Sequence, residues 1–479
     1  MIGRKTEFEK FQSALDKDRA QLVAVYGRRR VGKTFLVNEF FNNQFHFKHT
    51  AVSPVDESTQ KRKKNLMRVQ LQEFYYSMRS YGLDGSGNVP ANWSEAFHLL
   101  EKLLEGKDNG SKMILFIDEL PWMDTPKSNF LSAFEHFCND WCLARRNLKL
   151  FVCGSATSWI LDKLIHNKGG LYGRVTMPVY VSPFTLFECR EFFKNDGFHL
   201  DEYDICQAYM AFGGIPYYLD QFRKGLSLAQ NIDAILFNED APLKEEFDSL
   251  FTSQFAHPDE LKRIVTTLAG KRTGMSREEL SSKGFSSGGT LTENLSALEK
   301  SKLITSYTPF GESTLKYKLI DPFCLFYLKH VRENKNVPTY WQQHEKSSAI
   351  ISWMGYAFED LCWNHIRQIK RALGIEGVIT QESTWNIPST AGKSGAQIDL
   401  IIDRDDRFTC MCEIKFVRGT FEVTKSYSQT LLERMVRVQE LMDNKKNVMS
   451  ILITTYGLKN NEYASRFDRT VTLEDLFQK

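Results

Sequence analysis

The sequence predicts an α/β chain in three successive parts. A parallel sheet covered by helices comes first, then three helices with a hairpin, then a second, mixed α/β part. Three observations carry this reading. Short apolar runs alternate with amphipathic stretches up to about residue 235, the sign of strand–helix–strand crossovers. Beyond that point helical periodicity takes over and ends in a hairpin pattern. From about Ser348 the order becomes helix, several strands, helix, strand. A chain of 479 residues has room for about two to four domains. The divisions fall at 1–235, 236–345 and 346–479, with the polar segment Arg332–Pro338 as linker.

Composition bounds the function classes. The chain is 42% hydrophobic and 25% charged, which excludes a largely disordered or fibrous protein. Lys and Arg number 62 against 59 Asp and Glu, a net charge of +3, so the total charge neither indicates nor excludes a nucleic-acid partner. No run approaches the roughly eighteen apolar residues of a membrane span, and the start lacks a signal-peptide pattern. A cytoplasmic protein without a membrane partner is expected. The nine cysteines are scattered without zinc-knuckle spacing, and reduced core thiols are expected.

In the first part, Leu22–Tyr26, Met113–Ile117 and Leu150–Cys153 read as strands buried on both faces. The first runs directly into Gly27-Arg28-Arg29-Arg30-Val31-Gly32-Lys33-Thr34, which fits G-x-x-x-x-G-K-[ST] at every fixed position, and Phe35 then opens a helical segment. Strand, loop and helix in that order cradle phosphates with backbone N–H groups and the helix dipole. Lys33 is placed to reach β- and γ-phosphates and Thr34 to ligate Mg²⁺. The second strand delivers Asp118 and Glu119 at its carboxyl end, where parallel sheets bind ligands. Asp118 suits the same Mg²⁺, and Glu119 suits a water-activating base. After the third strand, Ser155 is placed to sense the γ-phosphate or the attacking water. Arg174 is a candidate for stabilising the transferring phosphoryl group, in its own subunit or a neighbour's. Gly213-Gly-Ile-Pro216 is a turn into a helix that can contact nucleotide, through Pro216.

In this order the motifs resemble those of the archaeal-type ATPases, a branch of the AAA+ and STAND P-loop NTPases, over roughly residues 1–235. The resemblance implies ATP as the nucleotide, a P-loop NTPase sheet followed by a helical lid, and a lid motif at the Gly-Ile-Pro stretch.

Residues 257–320 read as helices at Pro258–Leu268, after a capping box at Ser276-Arg-Glu-Glu-Leu280, and at Thr290–Leu303. Strands Ile304–Tyr307 and Leu315–Ile320 follow. This resembles a winged helix. Its third helix offers Ser287, Thr290, Thr292 and Asn294 but no early arginine for guanine, so base readout is weakly supported. DNA-backbone contact through Lys271, Arg272, Lys283 and Lys316 stands beside a purely structural or protein-binding role.

In the last part, Gly355–Trp363 is a helix carrying Glu359. Gln397–Ile402 is a strand carrying Asp399, and Thr409–Phe416 a strand with Glu413 and Lys415 on one face. Carboxylates converging with an amine suit Mg²⁺ or Mn²⁺ and phosphodiester hydrolysis. The arrangement resembles the PD-(D/E)XK nucleases, with an α/β restriction-endonuclease-like fold over about 348–479. It implies Asp399, Glu413 and Lys415 as the core, Glu359 as the extra acid and metal ligand, and Gln429 as a polar companion. The expected function is an ATP-binding and ATP-hydrolysing protein coupled to metal-dependent DNA binding or cleavage. A STAND-like switch governing the tail, with a protein trigger, is the second reading, and a homo-oligomer is compatible with both.

Overall fold

The computed structural model describes the chain apart from residues 1, 55–64, 86, 256, 388–395 and 443–444. The basic run Lys61–Lys64 lies outside the described residues. The chain forms two compact units. One comprises Met1–Pro183 with Glu246–Leu261 and Ser296–Ser301; the other comprises Phe184–Glu245, Lys262–Leu295 and Lys302–Lys479.

The first unit is built on strands β1 (Gln21–Tyr26), β2 (Phe47–Thr50), β3 (Met113–Asp118), β4 (Leu148–Gly154) and β5 (Met177–Tyr180). They pair in the order β2-β3-β4-β1-β5, all parallel. The three strands expected from apolar runs are the three central ones. β2 and β5 are short edge strands, and Pro178 explains why β5 is hard to see: a residue without N–H is tolerated only at an edge. Alternation sends Leu22 and Ala24 of β1 to one face and Val23 and Val25 to the other, and all four are buried.

One face is covered by α1 (Lys5–Asp16) and α2 (Lys33–Phe40), where Phe11 and Phe41 meet Phe151 edge-on at 5.1 and 4.9 Å. The other is covered by α3 (Leu66–Ser80) and α4 (Trp93–Glu105), through Phe74, Trp93 and Phe97. Truncating a fully buried phenylalanine such as Phe151 costs about 3–5 kcal/mol. The core therefore holds the carboxyl ends of β1, β3 and β4 rigidly side by side.

The second unit has a helical portion that includes α5 (Glu202–Phe212). Further on, the chain runs through α6 (Pro258–Ala269), α7 (Arg277–Ser282) and α8 (Gly289–Lys300). The hairpin β6 (Ile304–Tyr307) and β7 (Lys316–Leu319) follows. The capping box at Ser276 and Glu279 is present, and Met275, just before it, pairs with Tyr317 of β7. The tail comprises α9 (Ser348–Asn364), β8 (Thr380–Ile387), β9 (Ala396–Arg404), β10 (Phe408–Lys415), α10 (Lys425–Leu441), β11 (Asn447–Thr454) and β12 (Arg469–Val471). Its mixed sheet runs β12-β11-β10-β9-β8. The β8/β9 and β9/β10 pairs are antiparallel, and the pairs of β11 with β10 and β12 are parallel. α10 is the crossover that a parallel β10/β11 pair requires. All nine cysteines are buried free thiols. Among the described residues no helix is long and apolar enough to cross a membrane.

Candidate functional site

The loop between β1 and α2 curls because its backbone leaves the ordinary region. Gly27, Arg30 and Gly32 have φ of 148°, 68° and 89°. At Gly27 a Cβ would sit 2.3 Å from the Val181 carbonyl oxygen, so only glycine fits. Lys33, the first residue of α2, is buried. Its Nζ donates to the carbonyls of Gly27 (3.2 Å) and Arg28 (3.0 Å) and to Ser155 Oγ (2.9 Å). All three ammonium protons are thus engaged by the loop and by β4's exit.

Because β4 lies between β1 and β3, Ser155 stands between lysine and acid. Its hydroxyl donates to Glu119 Oε1 at 2.6 Å and its N–H to Oε2 at 2.9 Å. Glu119 adopts φ of 51°, an uncommon conformation for a non-glycine that directs the chain end of β3 into the site. Asp118 is buried. Its Oδ2 accepts from Thr34 Oγ1 at 2.8 Å, while Oδ1 accepts from the Glu119 N–H at 3.0 Å and from the Cys153 thiol. Burial, and then the neighbouring Glu119 charge, push the Asp118 carboxyl above its ordinary range. Hydroxyl and carboxylate facing each other at the amino end of a helix fit Mg²⁺ with a nucleotide triphosphate.

The sequence reading placed these side chains together but missed Cys153, which orients Asp118. Within the loop, the side chains of Arg29 and Arg30 turn to a distant helix. Arg29 donates to the Ser249 carbonyl (2.8 Å) and Arg30 pairs with buried Glu246 (3.0 Å), both on the helix Glu246–Gln254. Trp122, just after β3, donates to Ser253 of the same helix at 3.1 Å. Val31 is buried, and Phe35 is exposed.

Arg174 does not join its own site. It lines a small cavity with Ala20, Gln21 and Leu148, at the amino ends of β1 and β4. At about 3.3 Å per residue, the six residues of β1 separate that edge from the loop by roughly 20 Å. Arg174 thus lies away from the phosphate loop of its own chain. Pro216 opens the helix Pro216–Leu219 in the second unit, after Gly213 and Gly214.

In the tail, pairing of β9 with β10 sets Asp399 beside Glu413 and Lys415. Lys415 Nζ lies 3.3 Å from Glu413 Oε2 and 3.6 Å from Asp399 Oδ2, and Asp399 accepts the Ile414 N–H at 3.0 Å. Glu413 is buried, bonded by the Tyr427 hydroxyl at 2.7 Å and by Arg434. Tyr427 and Arg434 lie seven residues apart, on one face of α10, and that spacing was the missed signal. Gln429 is exposed on another face.

Glu359 on α9 shares a cleft with Asp399. Burial, and then the Asp399 charge, raise its carboxyl to about 7, although Arg272 pairs with it directly. As arranged, three carboxylates are neutralised by Lys415, Arg434 and Arg272. No cluster of three or more His, Cys, Asp or Glu closes on one point among the described residues. A divalent cation does not fit this tail arrangement. Of the four basic residues expected to meet a DNA backbone, Lys271 pairs with Glu279, Lys316 with Glu312 (2.9 Å) and Arg272 with Glu359.

Residues 1–222 match the family model described as an ATPase domain predominantly from Archaea. An uncharacterized protein of Methanocaldococcus jannaschii is 25% identical over 424 residues, covering 87% of each chain. An uncharacterized ATP-binding protein of the same organism is 42% identical over 43 residues, which cover 9% of this chain and 73% of that one. Among solved structures, the Walker-type ATPase of Pyrococcus abyssi is 21% identical, covers 68% of this chain and 96% of that one, and gives a TM-score of 0.44. Residues 1–222, which hold the phosphate loop, the acidic pair and the parallel sheet, form a P-loop ATPase domain and match the model of an ATPase domain found predominantly in archaea.

Proposed function

We propose that this ATPase uses its nucleotide cycle to govern DNA binding or cleavage by its carboxyl-terminal part. The observation that carries the ATPase half is the chain Lys33–Ser155–Glu119, alongside Thr34–Asp118. Lys33 exchanges loop carbonyls for phosphate oxygens when nucleotide enters. Thr34 and Asp118 would hold Mg²⁺, which supplies neutralisation of the β,γ-phosphate charge. Glu119 orients the attacking water and takes its proton, and Ser155 holds Glu119 at the right height beside the γ-phosphate. Pro216 is proposed as a nucleotide contact from the lid, and Arg174 as a contribution to a neighbouring copy's site. The test is Glu119→Gln: ATP binds as tightly as in the wild type while steady-state hydrolysis falls at least a hundredfold. Full turnover would place the base elsewhere.

For the tail, the convergence of Asp399, Glu413 and Lys415 on adjacent strands supports phosphodiester cleavage, with α6–α8 and the hairpin acting as a winged helix. Cleavage of plasmid DNA that is lost in Asp399→Asn supports it; identical cleavage by both proteins removes it. The second reading is a nucleotide-controlled switch. It is supported by Arg29 and Arg30, which tie the phosphate loop to helix Glu246–Gln254, a lever that nucleotide can move. A single turnover followed by arrest favours the switch, and continuous turnover favours the motor.

A further inference from the structure

We propose that the helix Glu246–Gln254 is a brace for the ATP site, and that Glu246 is a positioning residue for nucleotide binding. This role rests on the ATPase reading of the phosphate loop and is independent of what the tail does.

Two residues of the site hold a backbone conformation that ordinary residues avoid. Arg30, inside the phosphate loop, has φ of 68°, and Glu119, at the exit of β3, has φ of 51°. Neither is a glycine, so each conformation persists only where its surroundings impose it. Both are tied to one helix. Arg30 pairs at 3.0 Å with Glu246, whose side chain is 2% exposed, and Arg29 donates to the Ser249 carbonyl at 2.8 Å. Trp122 closes a turn on Glu119, its N–H donating to the Glu119 carbonyl at 2.9 Å. Its indole N–H then donates to the Ser253 carbonyl at 3.1 Å. Positions 246, 249 and 253 are spaced three and four apart, so they form one stripe along the helix.

The helix is fit to serve as a fixed reference. Phe247, Leu250 and Phe251 are buried, and the Phe247 and Phe251 rings lie 5.0 Å apart. Helix, loop and acidic strand belong to the same compact unit. The Ser253 carbonyl lies in the last turn, beyond the reach of intrahelical N–H groups, so the Trp122 indole satisfies an acceptor the helix leaves open. Glu246 is tied more strongly. A carboxylate taken out of water needs a cation, and here the cation is a residue of the phosphate loop. The pair works in both directions. Arg30 compensates the buried charge, and Glu246 fixes the guanidinium and with it the left-handed turn on which the curl of the loop depends. The nucleotide site is thereby completed by a helix outside residues 1–222.

The two ends of the brace act on different steps. Its amino-terminal end sets the phosphate loop, which binds nucleotide. Its carboxyl-terminal end sets the turn that carries Glu119, which orients the attacking water.

The test uses the full chain, titrated with a fluorescent ATP analogue in the presence of Mg²⁺ and assayed for phosphate release at saturating Mg-ATP. Glu246→Gln keeps the size of the side chain and removes its charge. It should weaken nucleotide binding about tenfold while kcat stays within about threefold of the wild type. Arg30→Met should weaken binding equally, and the double variant should bind no more weakly than either single variant, because all three lose the same pair. Trp122→Phe should show the converse, a kcat lowered about tenfold with Kd unchanged. If Glu246→Gln does not fold, Glu246→Asp, which keeps the charge but draws it back from Arg30, should show the same split between Kd and kcat at smaller size. A Kd within about twofold of the wild type in folded Glu246→Gln, or losses that multiply in the double variant, overturns the brace. A wild-type chain that binds no Mg-ATP overturns the ATPase reading instead.

Discussion

Replacing Ser155 with alanine tests the ATPase site at its most connected point. The change removes a hydroxyl that donates to Glu119 at 2.6 Å and accepts from Lys33 at 2.9 Å, and it keeps the backbone N–H that also holds Glu119. A hydrogen bond to a charged group contributes about 1.5–3 kcal/mol. Losing the bond to Glu119 in the transition state therefore lowers kcat by roughly 10- to 150-fold, at about 1.4 kcal/mol per decade. Lys33 loses one of three acceptors and turns more readily to phosphate, so ATP affinity changes by only about a few-fold. Phosphate release at saturating Mg-ATP gives kcat, and titration with a fluorescent ATP analogue gives Kd. Since Ser155 acts through Glu119, the double variant with Glu119→Gln should be scarcely slower than Glu119→Gln alone. A kcat within twofold of the wild type, or losses that multiply in the double variant, would refute the relay.

Gly27→Ala should abolish nucleotide binding and lower stability by about 2 kcal/mol or more, since φ of 148° and a carbonyl 2.3 Å from the new Cβ both oppose it; a melting curve and an ATP titration check this. Cys153→Ala should raise the Mg²⁺ concentration needed for half-maximal turnover several-fold, because Asp118 loses one of the two donors on Oδ1 that aim Oδ2 at Thr34, and Cys153→Ser should restore it. His365 is buried and uses both ring nitrogens: Nδ1–H donates to the Leu361 carbonyl at 2.9 Å, and Nε2 accepts the Leu186 N–H at 3.1 Å. Burial lowers its pKa from 6.5 to about 4, so it contributes stability that is present above pH 6.5 and lost as pH falls towards 4. The loss reaches about 3 kcal/mol at pH 4, and denaturant unfolding across that window should fall less steeply in His365→Gln; an unchanged slope would remove His365 as the titrating group.

Read alone, the sequence suffices wherever the physics is local. The phosphate loop needs consecutive residues in one turn, the central strands announce themselves by burial on both faces, and the Ser276 capping box and the β9–β10 hairpin are short-range patterns. Their positions within the chain held to within a residue or two. The edge strands escaped because four residues each, with a proline in β5, carry too little apolar pattern. The roles that depend on distant segments were not legible. Strand order placed β4 between the lysine and the acid, and so made Ser155 the link between them. A helix two hundred residues downstream claimed Arg29 and Arg30. Arg174, read from its neighbours in sequence, lies at the opposite, amino-terminal end of the strands. In the tail, spacing brought Asp399, Glu413 and Lys415 onto facing strands, but only packing of α10 and of the α6–α7 connection delivered Arg434 and Arg272 to the acids. Periodicity fixes which face a side chain takes; which charge meets it there is settled by elements that no local pattern connects.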